Sequence, residues 1–539
     1  MLRISLRLQR VGLIAMTAFG VFYGLIQAAA YTRAAGASAA ERLLFAHQME
    51  QLGPSLSYLL PLPVHVETLS GYLQWRVFGA LPLIFGFWSL LSAAGAGRGN
   101  EDQGLVELWL SAGLARWRYV AARFGSFVLV ALAATTATAL AIYLGSLPGG
   151  SGVNPLGIAE ATLALLAVTV ACYGLALVAA QVAPTRASAA GAAGVLLGLL
   201  FLLNSSSRAV AAMRPLVIAS PFHYYDLSTP LQPGGSFDLL STLGLFGAGV
   251  AFTILAGLLM GRRDIGSPLL AVRPRSGRVE SLPSTNPLLR LPILAPLYGM
   301  RYALLAWSVG CALEAVFMAS IGHSMVTLVQ GGGAFAGYLR VAGHGDPYAA
   351  ITGFFWYGTL EILLAVFAIT QVARWTADDN EGRLELILSA PISRARVVAE
   401  RAATLLLAGA IIVGVSCLGF YAAAHSNGVN VRWGDIVVTW LVLVPLVMAF
   451  AAIGAPLASR LPRSTVIFLT TVAFGSYLVD EVAPLLRLPD WALKISVFSF
   501  AGHPLASGVY WTGLWILVSI SVAGFGLGAI LMQRREVGA

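Results

Sequence analysis

Two short polar segments in an otherwise apolar chain carry the residues whose types and spacing could do chemistry. They cover 99–123 and 377–401, and equivalent positions lie 278 residues apart. The same residue recurs at Gly104 and Gly382, and again at Glu107 and Glu385. Acidic residues begin each segment and arginines end it, which suits the dipole of a helix. A polar pattern kept twice indicates an internal duplication whose chemistry is binding, since no catalytic pattern accompanies it.

The spacing within each segment predicts a short amphipathic helix, over 100–112 and over 378–390. Asn100 with Gln103, and Asp378 with Glu381, have the spacing of a capping box. Gly113 and Pro391 occupy equivalent positions, where either residue would end the helix. The helices would present apolar stripes at helical spacing: Val106, Trp109 and Leu110 in the first copy, and Leu384, Ile387 and Leu388 in the second.

The two segments agree at further positions outside the stripes. Leu108 is equivalent to Leu386, and Arg116 is equivalent to Arg394. A simpler interpretation is a pair of interfacial helices lying on the bilayer. That interpretation leaves the retention of one polar pattern in both halves unexplained.

The elements that must position these segments are membrane-spanning helices. The chain has 539 residues, 58% hydrophobic and 11% charged, whereas a soluble domain has about 25% charged residues. We therefore predict an all-α integral membrane protein with about twelve transmembrane helices, each of the length that a bilayer requires. The predicted spans lie near 11–30, 77–96, 119–144, 157–182, 188–203, 239–261, 302–321, 350–373, 398–422, 434–458, 464–483 and 509–532.

Six spans fall in each half, and a polar segment follows the second span of each. The sequence thus predicts a first half over 1–261, a cytoplasmic linker with a surface helix over 262–300, and a second half over 301–539. Arginines concentrate in the loops that share one side with the N-terminus, which places both termini and both polar segments in the cytoplasm.

Several functional classes are excluded by composition and motif. The net charge of +9 does not indicate nucleic-acid binding, because the basic residues form no patch interleaved with aromatic residues. A P-loop requires a lysine that contacts the nucleotide phosphates. The chain's only lysine, Lys494, lies between Leu493 and Ile495 and outside such a motif, so the chain has no P-loop ATPase site. Histidines and cysteines show no metal-ligand spacing, and no catalytic signature is present. We predict no metal, no cofactor and no catalytic residue in this chain.

Two carboxylates fall inside predicted spans. Glu314 lies in the seventh span and Glu361 midway along the eighth. A carboxylate at bilayer depth is costly, so each marks a possible position on a substrate path. The alternative is that neighbouring helices satisfy both groups.

The second polar segment, from Gly382 through Arg394, closely resembles the loop after the second span of ABC-2 type permeases, the membrane subunits of ATP-binding-cassette exporters. The resemblance covers nearly the whole chain, because the six-span core occurs twice. The double-length form resembles the fused permeases of tetronasin and polyketide-antibiotic exporters in actinobacteria. The resemblance implies two tandem six-helix bundles of the type V exporter kind, in a bacterial plasma membrane.

In such permeases the short helix is a coupling helix that docks on an ATPase subunit. The resemblance therefore implies two copies of a cytoplasmic ATPase subunit, which would bind ATP and Mg, as partners beside membrane lipid. It also implies a hydrophobic or amphipathic cargo, such as an antibiotic, a drug or a lipid. The positions that would carry coupling are Asn100, Gln103, Gly104, Glu107, Leu108, Trp109, Leu110, Arg116, Asp378, Glu381, Gly382, Glu385, Leu386, Ile387, Leu388, Pro391 and Arg394.

Two other functions remain open from the sequence. An ion-gradient-driven drug carrier also has six plus six spans and a cytoplasmic connector, although its loop after the second span is shorter and has a different pattern. A membrane-embedded lipid-modifying enzyme would require acidic or histidine clusters at one interface, and the sequence has no convincing cluster of this kind.

Overall fold

The computed structural model describes residues 2–57, 60–149, 153–209, 211–269, 291–322, 326, 347–380, 382–486 and 490–534. All regular structure in these residues is helical, which confirms the predicted all-α class. Glu381 and most of the predicted linker lie outside the described residues. The chain divides into two compact units, Met1–Val279 and Glu280–Ala539, and the division falls within the predicted linker.

The described residues of the first unit form eleven α-helices. They are α1 Leu2–Ala35, α2 Ala39–Leu56, α3 Leu69–Tyr72, α4 Leu81–Ala94, α5 Asn100–Asp102, α6 Leu105–Ser111, α7 Arg116–Ser146, α8 Pro155–Val182, α9 Arg186–Ala209, α10 Pro221–Asp226 and α11 Leu239–Arg262. Local sequence explains several starts. Asn154 caps α8 ahead of a proline at its first position. The amide of Ser241 donates to the Asp238 carboxylate ahead of α11, which lowers the pKa of Asp238.

The second unit repeats this order over its described residues. Its helices are α12 Leu294–Gly299, α13 Arg301–Ser320, α14 Pro347–Asn380, α15 Arg383–Leu388, α16 Arg394–Ser426, α17 Trp433–Arg460, α18 Pro462–Leu486, α19 Asp490–Leu493, α20 Pro504–Ser507 and α21 Trp511–Gln533. The six-residue helix α12 falls where the sequence predicts a surface helix before the seventh span.

Eleven helices of the described residues are long and apolar enough to cross a bilayer, six in the first unit and five in the second. Each overlaps a predicted span. The remaining predicted span, 464–483, coincides with α18, whose described apolar stretch Ser464–Tyr477 is shorter. The protein is therefore a multi-pass, all-α integral membrane protein, consistent with a bacterial inner membrane.

The two units use the same packing partners. The first membrane-spanning helix of each unit packs against the third, α1 on α7 and α13 on α16. The fourth packs against the sixth, α8 on α11 and α17 on α21. Small residues permit the second contact: a Cβ added at Gly174 would lie 2.5 Å from the Gly249 carbonyl oxygen, and one at Gly524 would lie 2.4 Å from the Ala452 carbonyl oxygen. Close backbone approach of this kind is typical of packed membrane helices.

Candidate functional site

Each polar segment forms a short helix that begins at a glycine. The second long helix of unit one continues through a π-helical turn, Gly95–Gly99, into α5. Gly104 then has φ +68°, and α6 begins. In the second unit α14 continues to Asn380, Gly382 has φ +70°, and α15 begins. Positive φ is costly for a residue with a Cβ, so glycine at these two positions permits the bend.

The predicted helix bounds and caps need correction. The short helices are Leu105–Ser111 and Arg383–Leu388, and not 100–112 and 378–390. The capping-box prediction is wrong in the first copy, because the preceding span continues past Asn100 and that side chain instead donates to the Tyr119 hydroxyl at 2.9 Å. Gln103 is exposed beyond α5. The N-cap residues of α6 and α15 are Gly104 and Gly382, so neither helix has a side-chain cap. Glu381 lies outside the described residues.

Both short helices turn the same face outward. Val106 and Leu384 are buried beneath them. Glu107 and Glu385 are exposed on the opposite face. The leucine that follows each glutamate is also exposed, Leu108 by 63% and Leu386 by 74%. Each helix thus presents an acidic and an apolar side chain together, a combination that suits contact with another protein surface.

The predicted apolar stripe holds better in α6 than in α15. Trp109 is half-buried, with its ring 5.5 Å from the Tyr119 ring. Leu110 and Leu388 are half-buried as well. Ile387, the counterpart of Trp109, is exposed, because the tyrosine is replaced by a valine at the equivalent position of α16. The exposed apolar surface of α15 is correspondingly larger.

Both helices end in the same way. The Ser111 hydroxyl donates to the Leu108 carbonyl oxygen at 2.9 Å, and the Ser389 hydroxyl donates to the Leu386 carbonyl oxygen at 2.7 Å. Gly113 then has φ +83°, as expected of a residue that follows a helix. Pro391 occupies the position equivalent to Gly113 in the second copy and is exposed.

An arginine at the start of the span after each short helix binds the last span of its unit. Arg116, at the start of α7, donates from Nη1 to the carbonyl oxygens of Met260 at 2.8 Å and Gly261 at 3.3 Å. Arg394, at the start of α16, donates from Nη1 to those of Met532 at 3.4 Å and Gln533 at 3.3 Å. These carbonyls end α11 and α21, where a cation is favourable. The repeated contact joins the start of α7 to the end of α11, and the start of α16 to the end of α21.

A buried ionic cluster anchors the first copy. Glu101 accepts from Arg98 Nη1 at 2.7 Å and also pairs with Arg263, and all three side chains are at most 3% exposed. Arg98 Nε donates to the Ala183 carbonyl oxygen at 2.6 Å, and Arg263 Nε donates to Gln181 at 3.1 Å. The cluster therefore ties α5, which precedes α6, to the ends of α8 and α11.

The second copy has an open ionic arrangement in the same place. Asp378 lies 3.4 Å from Arg383 Nε and 3.5 Å from Arg401 Nη2, and these side chains are 31%, 55% and 18% exposed. Arg401 also lies over the Trp375 ring at 5.9 Å. Solvent screens pairs of this kind, so they contribute little to stability. The support of α15 is weaker than that of α6.

Sequence reasoning missed Arg98, Arg263 and Tyr119. Arg98 directly precedes the first polar segment and could have been noticed as a charge at a span end. Arg263 and Tyr119 gave no local signal. Arg263 lies 162 residues from its partner Glu101, and Tyr119 lies on a different helix from its partner Asn100.

The two membrane carboxylates lie in the second unit, on spans rather than on the short helices. Glu314 on α13 accepts a short hydrogen bond from the Thr359 hydroxyl of α14. Glu361 on α14 is buried, and its Oε1 has no hydrogen-bond partner among the described residues. No group of three or more potential metal ligands occurs in the described part of the chain.

Comparison with known proteins gives two matches. Residues 297–533 match the family model described as the C-terminal domain of the multidrug efflux system permease Rv1217c. The chain is also 26% identical over 486 residues to the multidrug efflux system permease protein Rv1217c of Mycobacterium tuberculosis, covering 88% of this chain and 84% of that protein. Both comparisons indicate a multidrug efflux permease family. The family-model match lies entirely within the second unit, whereas the similarity to the mycobacterial permease extends over both.

Proposed function

We propose that this chain is the membrane subunit of an ATP-driven exporter of hydrophobic or amphipathic compounds. The similarity to a multidrug efflux permease supports a role in drug efflux. The narrower resemblance to tetronasin and polyketide-antibiotic exporters stays a prediction. ATP hydrolysis requires a separate subunit, since the sequence has no P-loop.

One observation carries the proposal: the same exposed glutamate–leucine pair occurs on a short helix in both units. Glu107 with Leu108, and Glu385 with Leu386, are displayed alike. In each unit an arginine at the start of the span that follows this helix donates to the end of the last span. A partner that moves α6 or α15 would therefore move the end of α11 or α21 as well.

In the proposed mechanism two copies of a cytoplasmic ATPase subunit bind the two short helices. ATP and Mg bind to those subunits and drive their closure. The closure displaces α6 and α15, and the displacement opens a path for cargo that enters from the inner leaflet. The apolar leucines supply buried area and the glutamates supply orientation, as charges do at protein interfaces.

Cysteine crosslinking tests the contact with the ATPase. Leu108→Cys and Leu386→Cys, made singly in the full chain with its three native cysteines, should each crosslink to lysines of an ATPase subunit that co-purifies with the chain. The native cysteines Cys172, Cys311 and Cys417 are buried and should stay unreactive. Leu43→Cys is the matched control, because Leu43 is 61% exposed on α2 and is predicted to lie outside the cell. Adducts from both test positions and none from the control are expected; no adduct from either would reject the proposal.

A further inference from the structure

Glu361 is the most deeply enclosed carboxyl group of the second unit's spans that the structure describes. It lies within the span Ile351–Asp379, about 15 Å from one end and about 27 Å from the other at 1.5 Å per residue. The residue is 6% exposed, and it forms no ion pair with a described basic residue. A buried carboxylate without a counter-charge is strongly unfavourable.

The groups around Glu361 provide no counter-charge either. Tyr357, one helical turn earlier, interacts with Glu361, is 1% exposed, and has a hydroxyl without a hydrogen-bond partner in the described residues. The charged neighbour of Glu361 on the packed helix α18 is Asp480, which is acidic too. Neither Tyr357 nor Asp480 therefore provides a counter-charge for Glu361.

The other titratable groups near this position supply no positive charge. The ring of His503, just before α20, lies 5.7 Å from the Tyr357 ring. Burial lowers the pKa of His503 to about 4, so its imidazole is neutral at neutral pH. Glu314 on α13 is acidic, and Cys417 on α16 is a buried thiol. None of these groups supplies a positive charge to Glu361.

The surroundings favour an organic cation over a metal ion. Tyr357 and Glu361 are four residues apart on α14, so both lie on one face of that helix. An aromatic ring beside a carboxylate favours an organic cation, because the charge and the ring face both attract it. A metal ion requires several ligands, and the described residues contain no suitable group.

We propose that Glu361 and Tyr357 form a binding site for positively charged lipophilic organic compounds, and that this site lies only in the second unit. The equivalent position of the first unit is Leu83, an apolar residue. The inference deepens the proposed function, on which it rests, by giving the charge of the cargo. Since Glu361 is enclosed, a cation reaches it only when α14 separates from α18.

Tetraphenylphosphonium binding to the purified full chain in lipid nanodiscs tests this site. The probe carries a fixed positive charge and has no titratable group. Glu361→Gln removes the negative charge with little change of shape and should weaken binding by about tenfold or more, because a charged partner is lost. Neutral triphenylphosphine oxide should bind Glu361→Gln and the unaltered protein equally.

Two variants separate binding from folding. Glu361→Asp keeps the charge and should retain most of the binding. Glu160→Gln, a matched neutralisation on α8 of the first unit, should leave binding within about twofold, as expected of an independent site. Binding should also weaken as pH falls, because protons and the probe compete for one carboxylate, and this dependence should disappear in Glu361→Gln. Equal binding of tetraphenylphosphonium by Glu361→Gln and the unaltered protein would overturn the proposal. So would a loss of triphenylphosphine oxide binding in Glu361→Gln that equals the loss of tetraphenylphosphonium binding.

The binding assay contains no ATPase, so the two proposals fail separately. Probe binding at Glu361 without any ATPase adduct at Leu108 or Leu386 would reject the motor contact and keep the site. ATPase adducts at both leucines with no effect of Glu361→Gln on probe binding would reject the site alone.

Discussion

Reversing the charge of both exposed glutamates, Glu107→Arg with Glu385→Arg, should uncouple ATP hydrolysis from transport. Both side chains face outward from short helices, so the change adds no buried charge. Placing arginine in the first turn of a helix costs about 0.3–1 kcal/mol, too little to unfold the protein. Like charges brought together across an interface cost several kcal/mol, so transport should fall by about tenfold or more.

The measurement combines drug-stimulated ATP hydrolysis with drug uptake into inverted vesicles. The double variant should be produced and inserted normally, and its hydrolysis should no longer respond to drug. Glu50→Arg is the matched control, since Glu50 is an exposed glutamate on α2, remote in sequence from both short helices. Unchanged drug stimulation in the double variant would contradict the assignment of α6 and α15 to coupling.

Neutralising Glu101 should destabilise the protein far more than neutralising Asp378. Glu101 is the single acidic member of a buried cluster with Arg98 and Arg263, and removing one partner of a buried ionic group costs about 3–5 kcal/mol. Asp378 forms long, partly exposed pairs, and solvent-screened pairs contribute about 0–1 kcal/mol. Glu101→Gln should therefore lower the free energy of unfolding markedly, whereas Asp378→Asn should change it little.

Thermal unfolding of each variant in the same detergent measures the difference. The two substitutions remove one carboxylate charge each, at neighbouring positions of the two repeated segments, so each controls for the other. Equal losses of stability would show that the buried cluster does not anchor α6.

The duplicated segment is thus supported differently in the two units. In the first, a closed and buried cluster holds α5, just before α6. In the second, partly exposed pairs of Asp378 precede α15, beside a cavity lined by Trp375, Asp379 and Arg401 among others.

The spans and the duplication could be predicted from the sequence, because both depend on local patterns. An apolar run of bilayer length predicts a helix whatever it packs against, and the repeat of Glu107 at Glu385 needs only an alignment of the chain with itself. Gly104 and Gly382 were identified as equivalent, and their positive φ explains why both are glycine.

The supporting contacts could not be predicted, since they join residues that are far apart in the chain. Arg263 lies 162 residues from Glu101, and nothing near either residue specifies the pair. The capping box was predicted at Asn100 because the local spacing matched, but the continuing span had already placed that residue inside a helix. The exposure of Ile387 depended on the residue that replaces Tyr119 in the next helix.

The central claim is that the two short helices lie on the same, cytoplasmic side of the membrane. Labelling of Glu107→Cys and Glu385→Cys with a membrane-impermeant maleimide tests it directly. We predict that both cysteines react in inside-out vesicles and that neither reacts in intact cells. Labelling from opposite sides of the membrane, or of either cysteine from outside intact cells, would contradict the account.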